Sequence, residues 1–176
     1  MEADRQKMFT ELDLLDARLE DLLSELEGIS LEILARRKEP EQWSPIEVCQ
    51  HLYLSEKLSL AYVQKKLSFD PVLRKAGLLS WIRSLVLNWY LQTKLKFKAP
   101  KSTTKFRMEG LTVDLIAIDW NGLRATLRQI ITEMDSSHLD KAIYRHPIVG
   151  RLSILQMLRF FRSHFDHHYL QIIERL

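Results

Sequence analysis

Cysteine is nearly missing from this chain: Cys49 is the only one in 176 residues. A single thiol excludes an internal disulfide framework and a cysteine-built zinc site. It also fits a reducing, cytoplasmic setting. Glycine and proline are scarce, five of each. A β-sandwich or a glycine-rich phosphate loop needs more turn formers than that, so the composition points to helices. No run of about 18 uncharged apolar residues occurs, which predicts no membrane span. The opening residues 1–15 are charged and lack the apolar core of a secretory leader, so none is expected. Neither sign of charge is in large excess. The 26 Lys+Arg against 23 Asp+Glu leave a net charge of +3, and no nucleic-acid partner is expected at that value.

What remains is the composition of an ordinary globular protein, 46% hydrophobic and 28% charged. The length suits one domain, and residues 1–176 carry no internal repeat or shift in composition that divides them. Met8, Leu12, Leu15, Leu19, Leu22 and Leu26 recur at steps of four and three, which lays one apolar stripe along a helix. Gly28 ends it, and Ser30 caps a short helix through Leu31, Ile33 and Leu34. Ser44-Pro45-Ile46-Glu47 then reads as a helix start: Ser44 as cap, Pro45 at the first position, Glu47 completing a capping box. This second long helix should fade near Leu67-Ser68. Residues 77–97 form an apolar helical stretch with Leu78, Trp81, Ile82, Leu85, Trp89 and Leu95 at helical spacing. It reads either as a buried or dimer-forming helix or as a membrane-surface or partner-binding one. A basic run follows (Lys94, Lys96, Lys98, Lys101, Lys105, Arg107), most simply a solvated loop.

A third long helix opens at Thr112 or Asp114 and ends near Asp135. A linker containing His146-Pro147 and Gly150 leads to the last helix, about Ser153 to Glu174. Four long amphipathic segments predict an all-α four-helix bundle, with an extra helix in the long connection between its second and third helices.

The last helix carries the chemistry. His164 and His168 are four residues apart and therefore lie one above the other. They share a stripe with Ile154, Met157, Phe161, Phe165 and Ile172, so both imidazoles point inward. His167 is rotated about 100° away. On the second long helix His51 sits among Val48, Leu52, Leu58 and Tyr62, also inward. Buried imidazoles each leave a donor and an acceptor to satisfy. A divalent metal resolves that, because three neutral ring nitrogens bind it and leave a position open. Histidines merely packed in the core are the alternative. The H-E-x-x-H pattern of metalloproteases is absent.

The segment Trp43-Ser44-Pro45-Ile46-Glu47-Val48-Cys49-Gln50-His51-Leu52, together with His146-Pro147-Ile148-Val149-Gly150 and His164 to Ile172, resembles the DinB superfamily over nearly the whole chain. That superfamily includes YfiT-like metal-dependent hydrolases and thiol-dependent transferases. Matched residue by residue, His51, His164 and His168 stand at its three metal-ligand positions. The resemblance implies zinc or nickel, an up-down-down-up bundle and a homodimer. Tyr169-Leu170-Gln171 stands where many members read Arg-Gly-Gln, beyond the ligands.

The expected substrate is a small molecule, and two reaction types follow from an open three-histidine site. A bound water can become a hydroxide nucleophile, or a low-molecular-weight thiol can be presented to an electrophile. Glu47, one turn before His51, is the candidate general base, beside its role in the capping box. Tyr62 and Tyr169 are candidate proton donors, Trp43 a candidate wall of the pocket mouth, and Cys49 points elsewhere. A metal-binding or protein-interaction bundle without catalysis is the alternative function.

Overall fold

The computed structural model describes residues 2–69, 72–91 and 112–176. The leucine stripe forms α1, Glu2–Leu26, and all six of its stripe residues are buried. Gly28 follows with φ +75, a left-handed conformation that suits the stop of a helix. Ser30 caps α2, Leu31–Ala35, by accepting from Ile33 N. α3 runs Pro45–Leu67 behind a complete capping box. α4 is Leu78–Leu91, α5 is Val113–Glu133 with Thr112 as its cap, and α6 is Ile154–Ile173, opened by a second capping box between Ser153 and Gln156.

Ion pairs fix the direction of each helix. Glu11 meets Arg159 and Arg162, and Arg18 meets Asp166, so α1 and α6 run parallel. Asp13 and Asp16 reach back to Arg128 and Arg124, so α1 and α5 are antiparallel. Tyr53 contacts Asp119 and Glu56 contacts Arg124, which sets α3 parallel to α5. Trp43 lies near Arg175 and His51 near His164, which sets α3 antiparallel to α6. The order is therefore up-down-down-up. α1 and α3 each pack against both α5 and α6, around a core of leucines with Trp120, Phe161 and Phe165 fully buried.

Three features differ from the sequence expectation. The connection between α5 and α6 is not a plain linker. It holds a 3-10 turn, Ser136–His138, and a hairpin of β1, Tyr144–His146, with β2, Gly150–Leu152. Its three-residue turn returns through Gly150 at φ +82, the left-handed position such hairpins favour. Leu58 is half-exposed rather than inward. α4 is described as far as Leu91, and its apolar side is exposed, so the buried-helix reading does not hold among the described residues. The stretch 92–97 and the basic run to Arg107 lie outside the described residues. Among the described residues no helix is long and apolar enough to cross a membrane.

One polar element is deep in the bundle. Arg124 donates from Nε and Nη2 to both oxygens of Glu56, at 2.6 and 2.7 Å, and both side chains are buried. Arg124 also reaches Asp16 at 3.3 Å. Removing one partner leaves the other charge desolvated and unpaired. Glu56→Ala should therefore lower unfolding stability by about 3–5 kcal/mol, and Glu56→Leu with Arg124→Leu should lower it by less. Urea titration followed by circular dichroism measures both.

Candidate metal centre

The capping box at α3 sets the first ligand position. Ser44 N donates to Glu47 Oε2 at 2.8 Å and Glu47 N donates to Ser44 Oγ at 3.4 Å, so the helix starts in a fixed register. His51 then falls inward, just beyond the first turn. On α6, register is fixed the same way: Ser153 N donates to Gln156 Oε1, and Gln156 N to Ser153 Oγ. His164 and His168 follow on its buried stripe. Because α3 and α6 are antiparallel, the three rings meet near the start of α3.

They form one group. His51, His164 and His168 each offer a ring nitrogen, and these nitrogens all lie within 4.8 Å of one another. His51 Nε2 and His164 Nε2 are 3.2 Å apart. Two nitrogens bound tetrahedrally to one ion at 2.0–2.1 Å would sit about 3.3 Å apart. Ring centroids are separated by 5.1 Å for His51–His164, 4.8 Å for His51–His168 and 4.6 Å for His164–His168. His51 and His164 are buried, while His168 is partly accessible. The group therefore has one side turned toward solvent.

The surroundings are aromatic. Trp43 lies 5.0 Å from the His51 ring, and Phe160 stacks on His164 at 5.2 Å with 21° between planes. His168 Nδ1 is 2.9 Å from Gln171 Oε1 and donates to it. That hydrogen bond leaves the lone pair of His168 on Nε2. Gln171 uses its amide nitrogen on His167 Nε2, 3.0 Å away. One glutamine thus fixes both rings. His51 Nδ1 is buried without a hydrogen-bond partner.

Burial sets the charge state. It pushes His51 down to about 4, and burial with the neighbouring imidazoles pushes His168 to about 3. His164 is held well below its ordinary value by burial, then by His168 and His51. All three rings are therefore neutral at neutral pH, which is the form that binds a metal. His146 is also buried and pushed down to about 4. Its Nδ1 accepts from the backbone N–H groups of Ile148 and Val149, at 3.2 and 3.3 Å, and its ring meets Phe160 edge-on at 4.6 Å. It supports the wall behind His164 and stands outside the group of three.

The remaining candidates take these positions. Glu47 has its carboxylate on Ser44 N and on Arg37, whose Nε donates to Oε2 at 2.8 Å. Tyr62 packs edge-on to Tyr144, and Tyr169 is half-buried against the core. Cys49 is buried and its thiol is pushed up to about 12, which keeps it protonated. Trp43 is half-buried against His51, where a wall residue would sit. His146 and Gln171 were named from sequence only within the segments that carry the resemblance, without a role at the site, and Phe160 was not singled out. Gln171 lies three residues after His168, and Phe160 lies four before His164, so helical spacing carried the signal for both.

The acid response follows from these shifts. The unfolded chain protonates its histidines near pH 6.5, whereas the folded chain resists down to about pH 3–4. The contribution of the neutral rings is full above about pH 6.5 and is lost as pH falls from there toward about 4. The metal-free chain should therefore melt at a progressively lower temperature across that window. His164→Leu should flatten part of the drop, which separates it from carboxylate effects. Calorimetry at a series of pH values checks both.

No curated protein and no solved structure matches the chain. The family model described as the DinB superfamily matches residues 14–172, which include all three histidines and reach from the middle of α1 nearly to the end of α6. The chain belongs to the DinB superfamily.

Proposed function

We propose that His51, His164 and His168 hold a divalent ion, zinc or nickel, and that the protein uses it on a small molecule. The observation that carries this reading is the convergence of three neutral ring nitrogens within 4.8 Å, drawn from two helices and partly open on the His168 side. Imidazole suits both metals, so the donor set alone does not choose between them. When bound, the metal supplies Lewis-acid chemistry at its open position.

The chain's own groups do the rest. Trp43 and Phe160 keep water from the buried side of the rings. Gln171 holds the His168 tautomer. Glu47, the proposed base, takes up a proton only by leaving Arg37 and its cap. Among the described residues no carboxylate joins the three histidines. That favours transfer of a low-molecular-weight thiol over hydrolysis. A thiol ionises near pH 8.5 unaided, whereas water starts from about 15.7 and leans harder on a base. The single buried thiol, Cys49, fits the cytoplasm as the site of action. The resemblance implies a homodimer.

Elemental analysis should find zinc or nickel near one equivalent per chain in wild type, and near none in His164→Ala with His168→Ala. Equal contents would overturn the reading. The metal-loaded chain should conjugate a small thiol to an electrophile faster than it hydrolyses esters or amides. Glu47→Gln should leave metal content intact and lower turnover by about 10²-fold if Glu47 is the base. Metal without turnover on either panel would instead identify a non-catalytic metal-binding bundle.

A further inference from the structure

α4 is built inside out. Its inward side carries Ser80, Ser84, Leu87 and Asn88, of which three are polar. Ser80 Oγ donates to the Arg151 carbonyl at 3.2 Å, and Asn88 Oδ1 is buried without a partner. Its outward side carries Leu78, Trp81, Ile82, Leu85, Val86 and Trp89, all exposed, with Trp89 at 64% and Leu78 at 72%. A helix resting on a bundle in water places its polar residues outside and its apolar ones inside. Here the order is reversed, so the outward side is matched to an apolar medium.

The frame around it is basic. Arg145 and Arg151 face each other directly across the hairpin. Their neighbours Tyr144, His146 and Leu152 are buried, so the two arginines project outward. Like charges placed opposite on a ladder repel, and neither has a carboxylate partner among the described residues. The hairpin is seated on α4: Ser80 bonds to the backbone of Arg151, and a Cβ at Gly150 would lie 3.4 Å from Arg83 Nη1. In sequence, α4 is followed by Lys94, Lys96, Lys98, Lys101, Lys105 and Arg107, against one acid, Glu109.

We infer that the outward side of α4, framed by Arg145 and Arg151, docks on an anionic lipid surface. Tryptophan favours the boundary between headgroups and acyl chains, and Trp81 and Trp89 share one side of the helix two turns apart. Basic residues beside such a helix gain from anionic headgroups. A second copy of the chain fits less well. Pairing α4 with α4 would bring two copies of the Arg145–Arg151 pair to one interface, and neither arginine has a carboxylate partner among the described residues. The inference does not depend on the metal.

The test uses the full chain and sedimentation with vesicles. Phosphatidylcholine vesicles holding about 30% phosphatidylglycerol should retain the protein at least tenfold better than phosphatidylcholine alone, with a blue shift of tryptophan emission. Arg145→Gln with Arg151→Gln should weaken retention by roughly tenfold, and about 0.5 M salt should do the same to wild type. Trp81→Glu with Leu85→Glu and Trp89→Glu should abolish it while leaving the melting temperature unchanged, because all three are exposed. Absence of retention on the anionic vesicles overturns the inference. So does equal retention of the triple variant. Sedimentation velocity supplies the last arm: a dimer that the triple variant splits, with vesicles ignored, overturns it in favour of self-association.

Discussion

Two imidazole nitrogens facing each other at 3.2 Å, with a third ring alongside, is the constraint around which this end of the bundle is arranged. Protonating any of these rings would add a charge where burial and the other two rings oppose it. The rings must therefore stay neutral, and each turns a ring nitrogen toward the other two, all within 4.8 Å. Much of the local structure serves that geometry. Two capping boxes fix the registers of α3 and α6, Phe160 and Trp43 close the apolar wall, and Gln171 dictates the tautomer of His168.

The polar network around Arg124 joins three helices. Arg124 and Glu56, both buried, tie α5 to α3, and the partly exposed Asp16 ties α1 to Arg124. The histidines join α3 to α6. α3 therefore carries both, with His51 near its start and Glu56 farther along, on helical turns that both point inward. The two differ in what satisfies them. The arginine and the glutamate neutralise each other within the chain, whereas His51 Nδ1 has no hydrogen-bond partner and the three facing rings carry no opposing charge among them.

The fold was readable from sequence where one period dominates. The leucine stripe of α1, the Ser44-Pro45-Ile46-Glu47 start and the Ser153 start translate directly into helices because caps and stripes are local. The inward placement of His51, His164 and His168 was readable for the same reason, since each shares a stripe with buried apolar residues. What was not readable depends on contacts between distant segments. The hairpin 144–152 is short, and its strands gain their stability from α3 and α4 rather than from their own pattern. The engagement of Glu47 by Arg37 spans ten residues and a loop, which no helical period reports. For α4, composition gave a helix but could not say which side meets water. That is decided by Ser80, whose hydroxyl meets the Arg151 carbonyl and Gln156, and by Ser84, which is buried beside it.

The hairpin links the two surfaces of interest through the simplest property of a strand. Successive residues point to opposite sides. On β1, Tyr144 and His146 turn inward, and His146 meets the Phe160 ring that stacks on His164. Arg145, between them, turns outward opposite Arg151 of β2, the strand that packs on α4. One three-residue strand thus holds part of the wall behind the histidines on one side and part of the basic frame on the other. Insertion of a residue there would exchange the two sets, placing a guanidinium in the aromatic wall and an imidazole in the frame. The register of this hairpin is fixed by the Gly150 turn and by the two backbone N–H groups that bond to His146 Nδ1. A buried histidine that stays neutral, and so keeps that acceptor, therefore holds the separation between an apolar chemical site and a charged outer face.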